Sequence, residues 1–400
     1  MPLNPIKYDN PTHPVEARRK ADANKVSWVP VLTSTGQPLM PCHPARAREL
    51  VRKGLATKSY LKGVFHIKLT QRTKGDTQVV ALGVDPGSKM NGYSLKSPDR
   101  TYLNIQQPAK DGKAVKKAIE ARANMRRGRH YRHTPCRPPR FDNRAKKDWV
   151  PPSTLSRWQH IYNTIAMLCR LYPIQHCIVE DVKASTKKGK KSWNQSFSPV
   201  MAGKNWLYRR IRLLGLELHL AEGYTTAELR LAAGLTKDQR KLDYNFFTHA
   251  VDAWVLANAV TGGHMYPDMI QLTRLHRPSY VLRQLHIMQP KVGGARTRRG
   301  GTALPGGIRK GTMVKYNHSK AKGSTHLALV TGYSAAKGYS LNFIDDVGRY
   351  TQKAQLGRMQ LLYRTSWLWQ FPWSYKGYSS RRAYQRNITN APTKVAKHYQ

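Results

Sequence analysis

Acidic residues are scarce in this 400-residue chain: 22 Asp plus Glu stand against 69 Lys plus Arg, a formal net charge of +47. A solvated surface does not need such an imbalance, and self-repulsion on this scale opposes folding unless a polyanion neutralises it. Nucleic acid is the expected partner, with a large salt-sensitive share of the affinity. Long apolar runs are missing too. None reaches the roughly 20 residues of a spanning helix, so no membrane partner is expected. The first ten residues are polar and contain proline, without a signal-peptide pattern, and a cytoplasmic protein is expected. Cysteine is sparse: Cys42, Cys136, Cys169 and Cys177 form no C-x-x-C pair. That argues against a zinc ribbon and for reduced thiols. His133-x-x-Cys136 is half a metal site that nothing downstream completes.

What is present centres on Gln78-Val-Val-Ala-Leu-Gly-Val-Asp85-Pro-Gly-Ser88. The apolar run Val79 to Val84 predicts a buried strand ending on Asp85, and Pro86-Gly87 turns the chain. Alone, such an acid is as readily a turn former. A second apolar run, His176-Cys-Ile-Val-Glu180-Asp181, also ends in acid. A third segment, His249-Ala-Val-Asp252, lies in the helical pattern Phe246 to Val260, and its three-residue spacing puts both side chains on one face. Hard oxygen donors with one imidazole suit Mg²⁺ or Mn²⁺ better than zinc. Clustered carboxylates raise one another's pKa unless cations neutralise them. Two divalent ions about 4 Å apart would do so, activate a water and stabilise a leaving oxygen in phosphodiester cleavage.

In chain order, residues 1–25 read as a basic arm. Trp28 to Leu32 predicts a strand, Pro44 to Lys53 a short helix carrying Arg46 and Arg48 and stopped by Gly54, and Val64 to Leu69 another strand. Asn91 to Leu95 and Thr101 to Ile105 are companion strands. Ala114 to His133 predicts a helix with Lys116, Lys117, Arg122, Arg126, Arg127, Arg129 and Arg132 on every side, which favours phosphate contact over core packing. Arg140 to Lys147 continues the charge. Helix from Leu155 to Leu171 leads to the Glu180 strand. Lys183 to Asn205 reads as a basic loop with Lys187, Lys188, Lys190 and Lys191. Helix (Trp206 to Leu214), strand (Leu216 to Ala221) and helix (Thr226 to Ala233) follow, an alternation that predicts a mixed α/β layer. Lys237 to Lys241 approaches the Asp252 helix. Residues 261–312 have linker composition, and short β runs after Met313 predict a small barrel. The tail from Trp367 mixes Trp, Tyr and Arg without periodicity.

The pattern D…E…HxxD resembles the RuvC branch of the RNase H-like nucleases. Pro38-Leu-Met-Pro41 resembles the PLMP module, Gly83-Val-Asp-Pro-Gly87 the first RuvC segment, and Arg126-Arg127-Gly128-Arg129 an arginine-rich bridge helix. Ile178-Val-Glu-Asp181 and His249-Ala-Val-Asp252 resemble the second and third RuvC segments. In this order they resemble the transposon-encoded, RNA-guided IscB/IsrB proteins, over about residues 26–262. The resemblance implies an α/β fold: an RNase H-like core in three segments (76–108, 148–186, 206–262) after an α+β PLMP module (26–75). It also implies a bridge helix (109–147), a basic linker (187–205), a second linker (263–312) and a β-rich C-terminal domain reading a target-adjacent motif (313–400).

IscB proteins carry an HNH nuclease between the second and third segments. Here Asp181 to Thr248 holds no cysteine and one histidine, His219, too little for an HNH centre. The resemblance is therefore to IsrB. It implies a monomeric ribonucleoprotein of the prokaryotic nucleoid, with a long guide RNA, that nicks the non-target strand of double-stranded DNA. Asp85, Glu180 and Asp252 would hold two Mg²⁺ ions, with Mn²⁺ able to substitute. His249 would bind metal or orient the attacking water. The basic helix, with Arg46 and Arg48, would hold RNA, and Lys187 to Lys191 would hold DNA. A guide-free resolvase of branched DNA and a non-catalytic RNA-binding protein remain as alternatives.

Overall fold

The chain divides into two units, Met1–Thr57 with Ile67–Thr273 and Phe371–Gln400, and Lys58–His66 with Arg274–Gln370. The structure, a computed structural model, describes residues 28–61, 64–133, 150–181, 199–240, 242–263, 267, 272–276, 287–289, 297–299, 304–317, 325–343, 350–364 and 368–370. The expected arm, the continuation Arg140 to Lys147, the Lys187 to Lys191 loop and the tail after residue 370 lie outside them.

In the first unit, β1 (Val29–Leu32) runs antiparallel to β2 (Pro38–Cys42). Thr33 Oγ1 accepts from the Gln37 amide at 2.9 Å, and Gly36, at φ +90°, completes the turn. Helix α1 (Pro44–Arg52) starts under a cap in which His43 Nδ1 accepts from the Ala45 amide. It stops before Gly54, whose φ of +71° suits glycine. A strand absent from the sequence reading, β3 (Ala56–Leu61), precedes β4 (Val64–Leu69); residues 58–66 of the two belong to the second unit. Within the first unit, Val31 of β1 pairs in parallel with Ile67 of β4. The alternation in Ala56–Leu61 is weak, since much of the strand is exposed.

A larger sheet follows. Strands β5 (Ala81–Asp85), β6 (Met90–Lys96) and β7 (Thr101–Pro108) form an antiparallel meander. Helices α2 (Gly112–Tyr131) and α3 (Pro152–Cys169) lead to β8 (His176–Glu180), which lies parallel to β5. Helix α4 (Pro199–Arg212) leads to β9 (Glu217–Ala221), parallel to β8 and last in the order β7-β6-β5-β8-β9. Helix α5 (Gly223–Ala232), a π turn (Phe246–Ala250) and α6 (Val251–Thr261) complete the layer. This is the mixed α/β architecture expected.

Three local expectations are corrected. Val79 is exposed and precedes the strand, which begins at Ala81. Pro199 to Asn205 is helical, not loop: Gly203 lets α4 lie against Trp158 of α3, where a Cβ would meet the indole at 2.1 Å. The Asp252 helix does not start as α-helix. The Phe247 carbonyl is taken by the Asp238 amide at 2.7 Å, so Val251 N–H bonds one residue further back, to Phe246. That shift defines a π turn.

Helix α6 is buried on nearly every side, as its apolar sequence requires. Trp254 Nε1 donates to Thr101 Oγ1 at 2.9 Å, and the buried Lys96 ammonium donates to Gly262 O at 2.6 Å, satisfying a carbonyl at the helix end.

In the second unit, β13 (Thr312–Asn317), β14 (Thr325–Ser334), β15 (Gly338–Phe343), β16 (Tyr350–Ala354) and β17 (Met359–Arg364) form one antiparallel sheet, ordered β16-β15-β14-β13-β17. Among the described residues its outer strands do not pair, so the expected barrel is an open sheet, and β16 is an addition to the sequence reading. Ile308, Val314, Val330, Leu341 and Phe343 form its core. The expected linker holds short strands: β10 (Leu272–His276), β11 (Ile287–Gln289) and β12 (Thr297–Arg299). Strand β11 pairs with β12, and residues 274–276 pair with β18 (Leu368–Gln370). They are too short to carry a periodic signal. No helix of the described residues is long and apolar enough to cross a membrane.

Gly83 is the tightest point in the larger sheet: a Cβ there would meet Ala253 O at 1.8 Å. Gly83→Ala must push α6 off β5. The expected outcome is a loss of about 1–3 kcal/mol or more, read as a lowered midpoint in urea denaturation. An unchanged midpoint would mean that the helix does not approach the strand this closely.

Candidate active site

Asp85 ends β5 and Glu180 ends β8, and parallel pairing (Val84 with Val179) brings both acids to the same edge of the sheet. Asp181 is not their companion. Adjacent strand residues face opposite ways, and Asp181 turns to α4, where it pairs with Lys204 and accepts from Tyr208 Oη at 2.7 Å.

His249 and Asp252 reach the same edge because two glycines let their backbone lie on the strands. Besides Gly83 under Ala253, Gly92 sits directly opposite Asp85 in β6, and a Cβ there would meet His249 O at 2.3 Å. Gly87, in the turn after Asp85, has no room either: its Cβ would meet Met90 O at 1.8 Å and His249 Cε1 at 3.4 Å. With these contacts in place, His249 Nδ1 lies 3.0 Å from Asp85 Oδ2, both side chains buried. A neutral imidazole donating from Nδ1 to the carboxylate presents its lone pair at Nε2.

Burial first, then the charge and hydrogen bond of Asp85 and the charge of Asp252, push Glu180 up to about 8, while Lys237 pulls the other way. Three carboxylates therefore crowd one half-buried space. Asp252, 1% exposed, is met by Arg230 Nη1 at 2.5 Å and by the Lys237 ammonium. Desolvation works against the charge on Lys237, but Asp85, Asp252 and Glu180 outweigh it and raise its pKa. Arg157 of α3 donates from Nη2 to Gly87 O at 2.9 Å and braces the turn behind Asp85.

The four residues singled out in the sequence thus come from β5, β8 and the helix beginning at Phe246, and converge. Excess negative charge and hard donors fit divalent cations. The group is spread out: among the described residues, the one set of His, Cys, Asp and Glu whose ligand atoms all lie within 4.8 Å is elsewhere, at His176, Glu217 and His219. Arg157 and Arg230 were missed by sequence reading, and Lys237 was noted only as part of a basic approach. Arg230 is one arginine among many, and its position on α5 carries no motif.

The basic helix α2 has no buried residue, and Ile119, Met125 and Tyr131 are exposed beside its cations. Lys116, Lys117, Arg122, Arg126, Arg127, Arg129 and Arg132 all face solvent. Arg46 and Arg48 are exposed on α1, with Arg46 paired to Glu49 at 2.8 Å.

Glu180 sets a pH test that needs no cation. Its pKa is raised from 4.5 to about 8 in the fold, so the folded state favours the protonated acid. That contribution is complete below pH 4.5 and is lost as pH rises toward 8. In EDTA, Glu180→Gln is expected to lose less stability than wild type between pH 5 and 8.5, measured as melting temperature. Parallel curves would show that Glu180 does not share a buried space with Asp85.

A family model described as RRXRR protein, a family associated with IscB/IsrB-type proteins, matches residues 29–196. Among solved structures, T. thermophilus RuvC in complex with Holliday junction substrate aligns at a TM-score of 0.26 and 12% identity, covering 46% of this chain and 92% of that one. A second Thermus thermophilus RuvC structure aligns at 0.25 and 12%, covering 45% and 92%. No curated protein matches significantly.

Proposed function

We propose that this chain is an RNA-guided DNA endonuclease of the IsrB kind, with one metal-dependent RuvC-type centre that nicks the displaced non-target strand. The observation that carries the reading is the convergence of Asp85, Glu180, His249 and Asp252, from three separate segments, at one sheet edge. The RRXRR match supports the family assignment, and the +47 charge supports a polyanionic partner.

In this reading Asp85, Glu180 and Asp252 hold two Mg²⁺ ions, or Mn²⁺, with His249 as a further ligand or as the group that orients water. The ions, when bound, supply charge neutralisation, an activated water and stabilisation of the leaving oxygen. The chain's own groups do the rest. Asp85 fixes the ring of His249 through Nδ1, and Arg230 and Lys237 hold the Asp252 carboxylate in place. Glu180 must lose its proton to serve as a ligand, and a neighbouring cation lowers its pKa.

Guide pairing supplies sequence specificity, and the protein grips the heteroduplex through its backbone. Helix α2 holds guide phosphates, assisted by Arg46 and Arg48, and Lys187 to Lys191 hold the displaced strand. The PLMP module is residues 26–75, and the target-adjacent motif is read within residues 313–400. The ribonucleoprotein is monomeric and acts in the prokaryotic nucleoid.

Two tests address this reading. A supercoiled plasmid carrying a guide-matched site, end-labelled on each strand in turn, should yield open circles with only the non-target strand cut. Asp85→Ala should lower that cut by at least a hundredfold while RNA binding stays within about twofold, since the lost group does not touch phosphate backbone. Linear product, or cleavage of branched DNA without RNA, would overturn the reading. Separately, replacing Arg122, Arg126 and Arg129 by Ala should weaken RNA association and reduce its log–log salt slope by roughly one unit per lost phosphate contact. An unchanged slope would mean that this face is only solvated.

A further inference from the structure

The group His176, Glu217 and His219 lies outside the proposed cleavage centre. His176 opens β8 and pairs in register with Glu217, which opens β9; His219 stands two residues along on the same face. Glu180 is four residues further along β8, about 13 Å away at strand rise. Beyond the three side chains, the same face carries Ile178 and Ala221, buried under Leu256 and Ala257 of α6. The trio therefore sits at the end of a packed surface. His176 and His219 are about a quarter exposed and Glu217 about two thirds.

Its geometry is specific. His176 Nδ1 lies 3.2 Å from His219 Nε2 and 3.3 Å from Glu217 Oε2, and His219 Nε2 lies 3.5 Å from Glu217 Oε1. Ligand atoms of a tetrahedral zinc bound at about 2.0–2.1 Å stand roughly 3.3 Å apart. For octahedral magnesium at the same bond length, neighbouring ligands stand closer, at about 2.9 Å. The competing arrangement is a hydrogen-bonded trio in which each neutral ring turns an N–H to the carboxylate. That sets two N–H groups against one another across 3.2 Å, whereas a cation at the common point accepts both nitrogen lone pairs and the carboxylate.

We propose that His176, Glu217 and His219 form a zinc site, with water as fourth ligand on the exposed side, that ties β9 to β8. The donors differ from those of the cleavage centre in kind: two imidazoles favour zinc, whereas a carboxylate-rich set favours magnesium. Among the described residues β9 is the last strand in its sheet, with one neighbour, and a bound ion would fix its starting residues to the interior.

The test uses the full-length protein, stripped with EDTA and returned to millimolar Mg²⁺ so that hard-cation sites are occupied. Zinc should then bind with a stoichiometry of one in competition with a chromophoric chelator, and should raise the melting temperature. Cobalt(II) in its place should give the intense visible absorption of a tetrahedral site. Asp85→Ala should retain the ion, which separates this site from the cleavage centre. His176→Gln with His219→Gln should lose the cobalt band and weaken zinc at least a hundredfold. Glu217→Gln, at an exposed position where folding is not at stake, should weaken zinc at least tenfold. The proposal is overturned if no tight equivalent binds, or if the Glu217 and double-histidine variants bind zinc as wild type does.

Discussion

The close approach of α6 to the sheet is the contact on which the candidate site depends. A helix normally stands off a strand by the length of two side chains. Here Gly83 removes one of them under Ala253, and Gly92 removes another under His249. The π turn and the first turn of α6 then lie close enough for two short side chains, an imidazole and an aspartate, to reach the ends of β5 and β8. With alanine at either position, those side chains would be held back by more than hydrogen-bond tolerance. The apolar surroundings of α6, from Phe246 to Leu256, hold that approach in place.

This packing has an electrostatic cost. Bringing Asp85, Glu180 and Asp252 out of water and toward one another pushes the Glu180 carboxyl up to about 8. Arg230 and Lys237 offset part of that repulsion at Asp252, but Glu180, buried beside Asp85, is left favouring its protonated form. A fold whose centre is short of positive charge, inside a chain with a large excess of it, has put its cations elsewhere. Helix α2 is the clearest case. Twenty residues with no buried side chain and one acid among many bases have little intrinsic reason to stay helical in water, and under the proposed function a polyanion along the helix would supply the missing stabilisation.

Much of this was legible in the sequence. Apolar runs ending in acid mark β5 and β8, and the HxxD spacing marks the helix face that meets them. Helices α2 and α3 were readable to within a few residues at each end, α3 from its amphipathic period. What was not legible has physical causes. The π turn arises from a bond between Asp238 and Phe247, nine residues apart with no pattern to announce it. Helical structure from Pro199 to Asn205 depends on Gly203 fitting against Trp158, a tertiary contact that overrides loop-like composition. Strands β3 and β16 are short, so alternation in them is faint. Arg230 and Arg157 matter through where α5 and α3 place them, and composition cannot distinguish them from other arginines.

Register ties these features together. Side chains in a strand alternate, so a slip of one residue between β5 and β8 would turn Glu180 toward Lys204 and Tyr208 and bring Asp181 to the edge where Asp85 lies. The pairing of β8 with β9 resists that slip. At the site end, the Asp181 amide donates to Ala221 O at 2.6 Å, carrying the ladder one step past Glu180. At the far end, His176 and Glu217 are in register, with His219 completing the trio. A strand pair held at both ends has one register available. A charged residue placed at its tip then faces the same partner in every molecule, which a centre built from opposed acids requires.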